Sequence, residues 1–140
     1  VLYMNFSRLL IIASAISTLS FSSCERKESA EIAGKGGNAN IIAIPRHHGK
    51  FINECTMYIK YNTNDLPSPT FNPSQYDDSL KCTVADGKPS ANFTGLKKGK
   101  YYIYGVGWDP DIQLKVEAGK PVTITADQSY EIIIPVTEGD

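Results

Sequence analysis

Polar and apolar residues alternate along several short stretches of the chain. In the stretch 55–61, every second side chain from Met57 to Tyr61 falls on one face of an extended backbone. The alternation returns at 80–84 and is strongest at 101–108. A period of two is typical of a half-buried β-strand, because successive side chains of a strand point to opposite sides of the sheet. The pattern predicts strands at these three places.

Shorter apolar runs, separated by turn-forming residues, extend this prediction to the rest of the chain. Asp86-Gly87 and Gly119-Lys120-Pro121 predict tight turns, and the proline-rich stretch 62–73 predicts a loop. The predicted strands are 40–45, 55–61, 80–84, 92–96, 101–108, 112–116, 122–125 and 130–136. Seven or eight short strands with turns between them predict an all-β fold, a β-sandwich.

Aromatic residues are concentrated in two of the predicted strands. Gly105 and Gly107 fall on the opposite face from Tyr102, Tyr104 and Trp108, where a neighbouring segment can approach closely. Aromatic side chains usually dominate a core, so we expect the set to be buried; exposed members would instead suit stacking against sugar rings or a protein partner. The set comprises Tyr58, Tyr61, Tyr101, Tyr102, Tyr104 and Trp108.

The first 24 residues have the order of a secretion signal. Arg8 precedes the apolar run 9–21, which is short for a membrane span and has the length of a signal-peptide core. Two serines then precede Cys24, an arrangement that resembles a bacterial lipobox, although Phe21 stands where Leu is usual. We therefore predict that the signal is removed and that Cys24 carries a lipid.

These observations divide the chain into three parts. We predict a lipoprotein signal peptide at 1–23, a flexible tether at 24–39 and the β-sandwich domain at 40–137. Several acyl chains on one cysteine anchor a protein firmly to a membrane, since each buried methylene contributes about 0.8 kcal/mol to binding. The chain is therefore expected to be an outer membrane lipoprotein facing the periplasm or the cell surface. Its formal net charge of -1 and the lack of a large basic field argue against a nucleic-acid partner.

The stretch 93–102, Phe-Thr-Gly-Leu-Lys-Lys-Gly-Lys-Tyr-Tyr, joins an apolar strand end to an aromatic strand start through glycine turns. It resembles the F-x-G-L-x-x-G-x-Y signature of carboxypeptidase regulatory-like and Cna-B-like domains, which are transthyretin-like, or prealbumin-like, sandwiches. The chain is also similar to small lipoproteins of gut Bacteroidetes. The resemblance implies a Greek-key sandwich over about residues 40–137 and implies almost nothing about chemistry.

Cys55 and Cys82 fall in two predicted strands that the long loop could make neighbours. In an oxidising compartment such a pair favours a disulfide, and the alternative is two buried free thiols. Ser79 follows Asp78 and precedes Leu80, which resembles the three-residue O-glycosylation motif of Bacteroidetes secreted proteins. Ser79 is therefore a candidate modification site.

His47 and His48 are the only histidines. Adjacent strand residues point to opposite faces, so the two side chains would share a metal only if a turn intervened. Asp77 and Asp78 could add oxygen ligands, but no metal-ligand spacing is present. The sequence therefore predicts neither a metal site nor a cofactor.

Together these features predict a non-catalytic module rather than an enzyme. Its expected partners are the membrane, through the N-terminal lipid, and an envelope protein or a glycan contacted by the loop 62–76. Two alternatives remain open. One is a fimbria-like structural subunit, and the other is a small hydrolase or metal site around His47 and His48.

Overall fold

The computed structural model describes residues 31–139, and most of them lie in β-strands, which confirms the predicted all-β class. The only helical element in this range is a 3-10 turn at Pro73–Gln75. The described residues form ten strands where the sequence predicted seven or eight, partly because two-residue strands leave no alternation to detect. The strands are β1 (Lys35–His47), β2 (Lys50–Phe51), β3 (Glu54–Tyr61), β4 (Asp78–Lys81), β5 (Thr83–Ala85), β6 (Lys88–Leu96), β7 (Gly99–Asp109), β8 (Leu114–Ile124), β9 (Ser129–Pro135) and β10 (Thr137–Glu138).

Two sheets form the sandwich. In the first sheet the order is β2-β1-β6-β5, and β9 pairs in parallel with β1. In the second sheet the order is β10-β8-β7-β3-β4, and all neighbours are antiparallel. The core lies between the sheets and is formed by apolar residues of both, including Ile41, Phe93 and Ile134 from the first sheet and Met57, Ile59 and Ile103 from the second.

The first strand begins earlier than the sequence predicted. β1 starts at Lys35, and Ala39 is fully buried, so the ordered domain includes residues that we assigned to the tether 24–39. Just before β1, the carbonyl of Gly34 accepts the Lys97 N–H at 2.8 Å. Glycine-rich composition alone predicts flexibility, whereas here the glycines allow close packing: a side chain on Gly37 would overlap the backbone of Leu96 and Lys97.

Two strand boundaries also differ from the prediction. The predicted strand 80–84 is divided at Cys82, because β4 pairs with β3 in the second sheet and β5 pairs with β6 in the first. The predicted turn at 119–121 is instead the interior of β8. A side-chain carbon on Gly119 would overlap the ring of Tyr102 on β7, so the ring would have to move to accommodate it.

Other local predictions agree with the structure. Asp86 and Gly87, both with positive φ, form the two-residue turn between β5 and β6. Gly105 and Gly107 face the core, where a side chain would meet Met57, Val136 and the carbonyl of Glu54. The predicted signal peptide 1–23 and Cys24 lie outside the described residues. Within 31–139, no helix is long and apolar enough to cross a bilayer.

Candidate functional site

Most of the aromatic set lies on the solvent-facing side of the second sheet and not in the core, which corrects the prediction. Tyr101 is fully buried, whereas Trp108 is 43 % exposed. Side chains of other strands fill the space beside Gly105 and Gly107 on the core face of β7. Tyr102, Tyr104 and Trp108 lie on the other face of the strand and therefore point toward solvent. We call Tyr58, Phe71, Tyr76, Tyr102 and Tyr104 the outer aromatic cluster, all of them half-buried.

The cluster holds the loop 62–77 against the sheet. Phe71 stacks on Tyr104, with ring centroids 4.7 Å apart and planes at 5°, and it meets Tyr58 edge-on at 4.9 Å. Tyr76 packs edge-on against Tyr58 at 5.7 Å. Offset and edge-to-face pairs of this kind contribute about 0.5–1.5 kcal/mol each beyond area burial. The loop therefore has a fixed position on the sheet.

Hydrogen bonds fix both ends of the same loop. The side-chain amide of Asn64 donates to the carbonyls of Tyr101 at 3.1 Å and Val122 at 3.3 Å. At the other end, the Asp77 carboxylate accepts the Tyr61 N–H at 2.7 Å and the Asp77 N–H donates to the Ile59 carbonyl at 2.9 Å. Between these ends Leu66 is 40 % exposed. The loop thus presents an exposed surface on a preorganised frame.

The two predicted disulfide cysteines are neighbours in space. Cys82 N–H donates to the Cys55 carbonyl at 2.8 Å, and both residues are buried free thiols. The interaction between the two thiols lowers the pKa of Cys82 and, together with burial, raises the pKa of Cys55. The structure brings the pair together as expected, and the covalent bond stays a prediction.

Ser79 is exposed, as a modification site requires, but it lies in the edge strand β4 rather than in the loop. Its N–H donates to the Asp78 side chain at 2.8 Å. The carboxylates of Asp77 and Asp78 pair with Lys60 at 3.3 Å and Lys35 at 3.2 Å. These two acids are therefore engaged in ion pairs of their own.

A buried histidine lies between two carboxylates where β1, β7 and β10 meet. The His47 side chain is only 2 % exposed. Its Nδ1 is 2.7 Å from Asp109 Oδ2 and its Nε2 is 2.6 Å from Glu138 Oε2. The second oxygen of Asp109 accepts the Asp111 N–H at 2.9 Å, which orients the carboxylate toward His47.

Ion pairing sets the protonation of this triad. The hydrogen bond to Asp109 is the largest influence on His47 and raises its pKa, with Glu138 adding to the effect and burial opposing it. His47 in turn lowers the pKa of Asp109, and the backbone N–H of Glu138 followed by His47 lowers the pKa of Glu138. Each ring nitrogen thus faces a carboxylate oxygen, and both carboxylates favour the protonated form of the ring.

His48 also turns toward this site, because it lies in a turn, the condition under which the two histidines were expected to come together. His48 has a positive φ of 45° and begins the turn between β1 and β2, so its ring stacks on the His47 ring with centroids 4.0 Å apart. One ligand atom each from His47, His48 and Glu138 lie within 4.8 Å of one another. Asp109 and Glu138 were not predicted, because they are 62 and 91 residues from His47 and no spacing pattern links them.

The chain was also compared with known proteins. No family model matches it, and no curated protein has a significant match. The resemblance of 93–102 to transthyretin-like domains therefore remains an expectation, and the function proposed next depends on the residues and their geometry.

Proposed function

We propose that the chain is an envelope-anchored lipoprotein whose β-sandwich is a non-catalytic module that binds a protein or a glycan. The observation that carries the proposal is the preorganised loop 62–77. Phe71 and Tyr76 fix it to the sheet, while Leu66 and its neighbours stay exposed. Binding residues concentrate on loops held by a rigid scaffold, since less conformational entropy is lost when the partner binds.

The rings that the loop leaves accessible support a partner with flat apolar faces and hydroxyl groups. Trp108, which is 43 % exposed, and the half-buried Tyr102 combine an apolar ring with a polar atom on the solvent-facing side of the second sheet. Such amphipathic rings suit both a saccharide and a protein surface. The Bacteroidetes-type lipoprotein and the transthyretin-like domain suspected from the sequence are consistent with this role.

The anchoring part of the proposal depends on residues 1–24. An apolar run of signal-peptide length, two serines and Cys24 follow one another in the order that lipid attachment requires. Intact mass of the protein from the membrane fraction, measured for the natural chain and for Cys24→Ser, tests it. We expect a lipid-sized addition that Cys24→Ser abolishes. An unmodified product that starts at Met4 would overturn the anchored assignment.

The binding part is tested by two exposed aliphatic residues of similar size. Leu66→Ser changes the loop, and Val84→Ser changes a 49 % exposed position on β5 in the other sheet. The full lipidated chain in detergent is applied to a glycan array, and cells carrying it are treated with a photo-activated cross-linker. We expect a specific glycan signal or cross-link that Leu66→Ser loses and Val84→Ser keeps.

Two results would overturn the assignment of the loop as a binding surface. If the two variants behave alike, the loop is not the contact surface. If the protein instead assembles with itself as its concentration rises after trimming of the N-terminus, it is a structural subunit of the fimbria-like kind.

A further inference from the structure

The cluster at the end of β1 has the donor atoms of a metal site. His47 offers Nε2, His48 offers a ring nitrogen and Glu138 offers a carboxylate oxygen, all within 4.8 Å of one another. Two imidazoles and a carboxylate are ligands that zinc and related first-row metals prefer. Three protein ligands, with the fourth position left to water, are typical of open zinc sites.

Asp109 provides the hydrogen bond that orients a histidine ligand in such a site. Its carboxylate is buried and lies 2.7 Å from His47 Nδ1. A metal-binding histidine almost always donates its second ring N–H to a carboxylate or carbonyl, which fixes the tautomer and turns the other nitrogen toward the metal. Asp109 therefore leaves Nε2 of His47 as the nitrogen that faces Glu138 and the ion.

The charges at the site favour a divalent cation. Asp109 and Glu138 bring two negative charges to a buried ring. The lysine of β2, Lys50, is paired with Asp111 at 2.5 Å, and Arg46 lies over the Phe51 ring at 4.5 Å. A dication with neutral histidines would balance both carboxylates.

We propose that His47, His48 and Glu138 bind one divalent first-row transition-metal ion, with zinc as the best fit, and that Asp109 positions His47 for it. Tetrahedral ligands at zinc distances lie about 3.3 Å apart. The 2.6 Å between His47 Nε2 and Glu138 Oε2 therefore lengthens slightly and His48 moves inward. Both adjusting residues are exposed, so the core is not disturbed. The site is independent of the loop 62–77.

Cobalt(II) is the probe, because its visible bands report both geometry and ligand type. The full chain, stripped of metal with a chelator, is titrated with Co²⁺ and then with Zn²⁺. We expect one equivalent to bind, with the strong visible absorption of tetrahedral coordination and no sulfur charge-transfer band, and we expect Zn²⁺ to displace it. A Cys24→Ser variant confirms that no thiol outside the described residues takes part.

Matched variants test the ligands without disturbing the buried ring. His48→Gln and Glu138→Gln each weaken binding by at least about tenfold, whereas Glu54→Gln, an exposed carboxylate elsewhere on β3, leaves it unchanged. Asp109→Asn weakens binding by about 10–100-fold, provided that circular dichroism shows an intact fold. Absence of the tetrahedral spectrum, a sulfur charge-transfer band, or full binding in both His48→Gln and Glu138→Gln would overturn the proposal.

Discussion

Two tyrosines of the second sheet region differ in how their hydroxyl groups are satisfied. The hydroxyl of Tyr101 donates to the Lys97 carbonyl at 2.7 Å and accepts the Gly34 N–H at 2.9 Å. The hydroxyl of Tyr76 is buried and has no hydrogen-bond partner among the described residues. A buried polar group without a partner costs free energy, so the two hydroxyls have opposite effects on stability.

Removing each hydroxyl measures that difference. Tyr101→Phe is expected to lower the free energy of unfolding by about 1–3 kcal/mol, because the Gly34 N–H loses its acceptor. Tyr76→Phe is expected to leave it unchanged or to raise it by up to about 1 kcal/mol. Urea unfolding of the two variants beside the natural chain provides the measurement. Equal destabilisation by both would show that Tyr76 has a partner after all.

At the scale of the strand, glycines of β7 and β8 differ in how well the sequence predicted their role. The alternation from Tyr101 to Trp108 predicted β7 and the close approach at its glycines, because both depend on neighbours along one strand. Gly119 was wrongly assigned to a turn, since its requirement comes from Tyr102 on another strand. For the same reason the alternation predicted which side chains share a face and could not tell which face is the core.

The contact between Gly119 and Tyr102 predicts a coupled pair of substitutions. Gly119→Ala displaces the Tyr102 ring and is expected to cost about 1–3 kcal/mol. In a Tyr102→Ala background the same change should cost much less, because the ring is no longer in the way. Denaturation of the four proteins gives the double-mutant cycle. Additive costs would mean that the ring does not explain the glycine.

Cys82, which lies between β4 and β5 and next to Cys55, is expected to form a disulfide with Cys55 on oxidation. Incubating the folded chain with oxidised glutathione should convert the Cys55 and Cys82 thiols to a disulfide, while glutathione takes up the electrons and protons. Intact mass then falls by two hydrogens, and stability rises by about 2–4 kcal/mol. The reduced protein is the control. Retention of both thiols, shown by alkylation after unfolding, would contradict the expectation.

For the whole molecule, buried phenols predict how stability depends on pH. Burial is the main cause of a raised pKa in the tyrosines Tyr61, Tyr76, Tyr101, Tyr102 and Tyr104. The unfolded chain loses these protons near pH 10, roughly the ordinary value, whereas the folded chain keeps them. The folded state then binds more protons, so stability is fully present below about pH 10 and is lost as the pH rises further.

Unfolding by urea at a series of pH values above neutrality tests this dependence, and phenolate absorbance follows the tyrosines directly. We expect the midpoint concentration of urea to fall as the pH passes about 10, with the phenolate signal of the folded protein delayed relative to the unfolded one. A folded protein whose tyrosines all titrate at the ordinary value would contradict it.

Only part of the candidate site could be predicted from the sequence, because the site forms where the two sheets meet. The two histidines stood out because they are adjacent in the chain. Asp109 and Glu138 join them only when β7 and β10 of one sheet meet the end of β1 in the other. Such a meeting depends on the packing of the sheets, which no local pattern encodes.

The early start of the ordered domain limits how far the domain can lie from Cys24. Ala33 is buried and its N–H donates to Asn62 at 2.7 Å, where the loop 62–77 begins. Ala33 is nine residues after Cys24, and a chain of that length spans at most about 32 Å. In the proposed lipoprotein, the start of the loop therefore stays close to the lipid headgroups, and its partner must itself be a neighbour of the membrane. β1 starts at Lys35, just after this entry point, and ends at His47. The histidine pair thus lies at the opposite end of β1 from the entry of the tether.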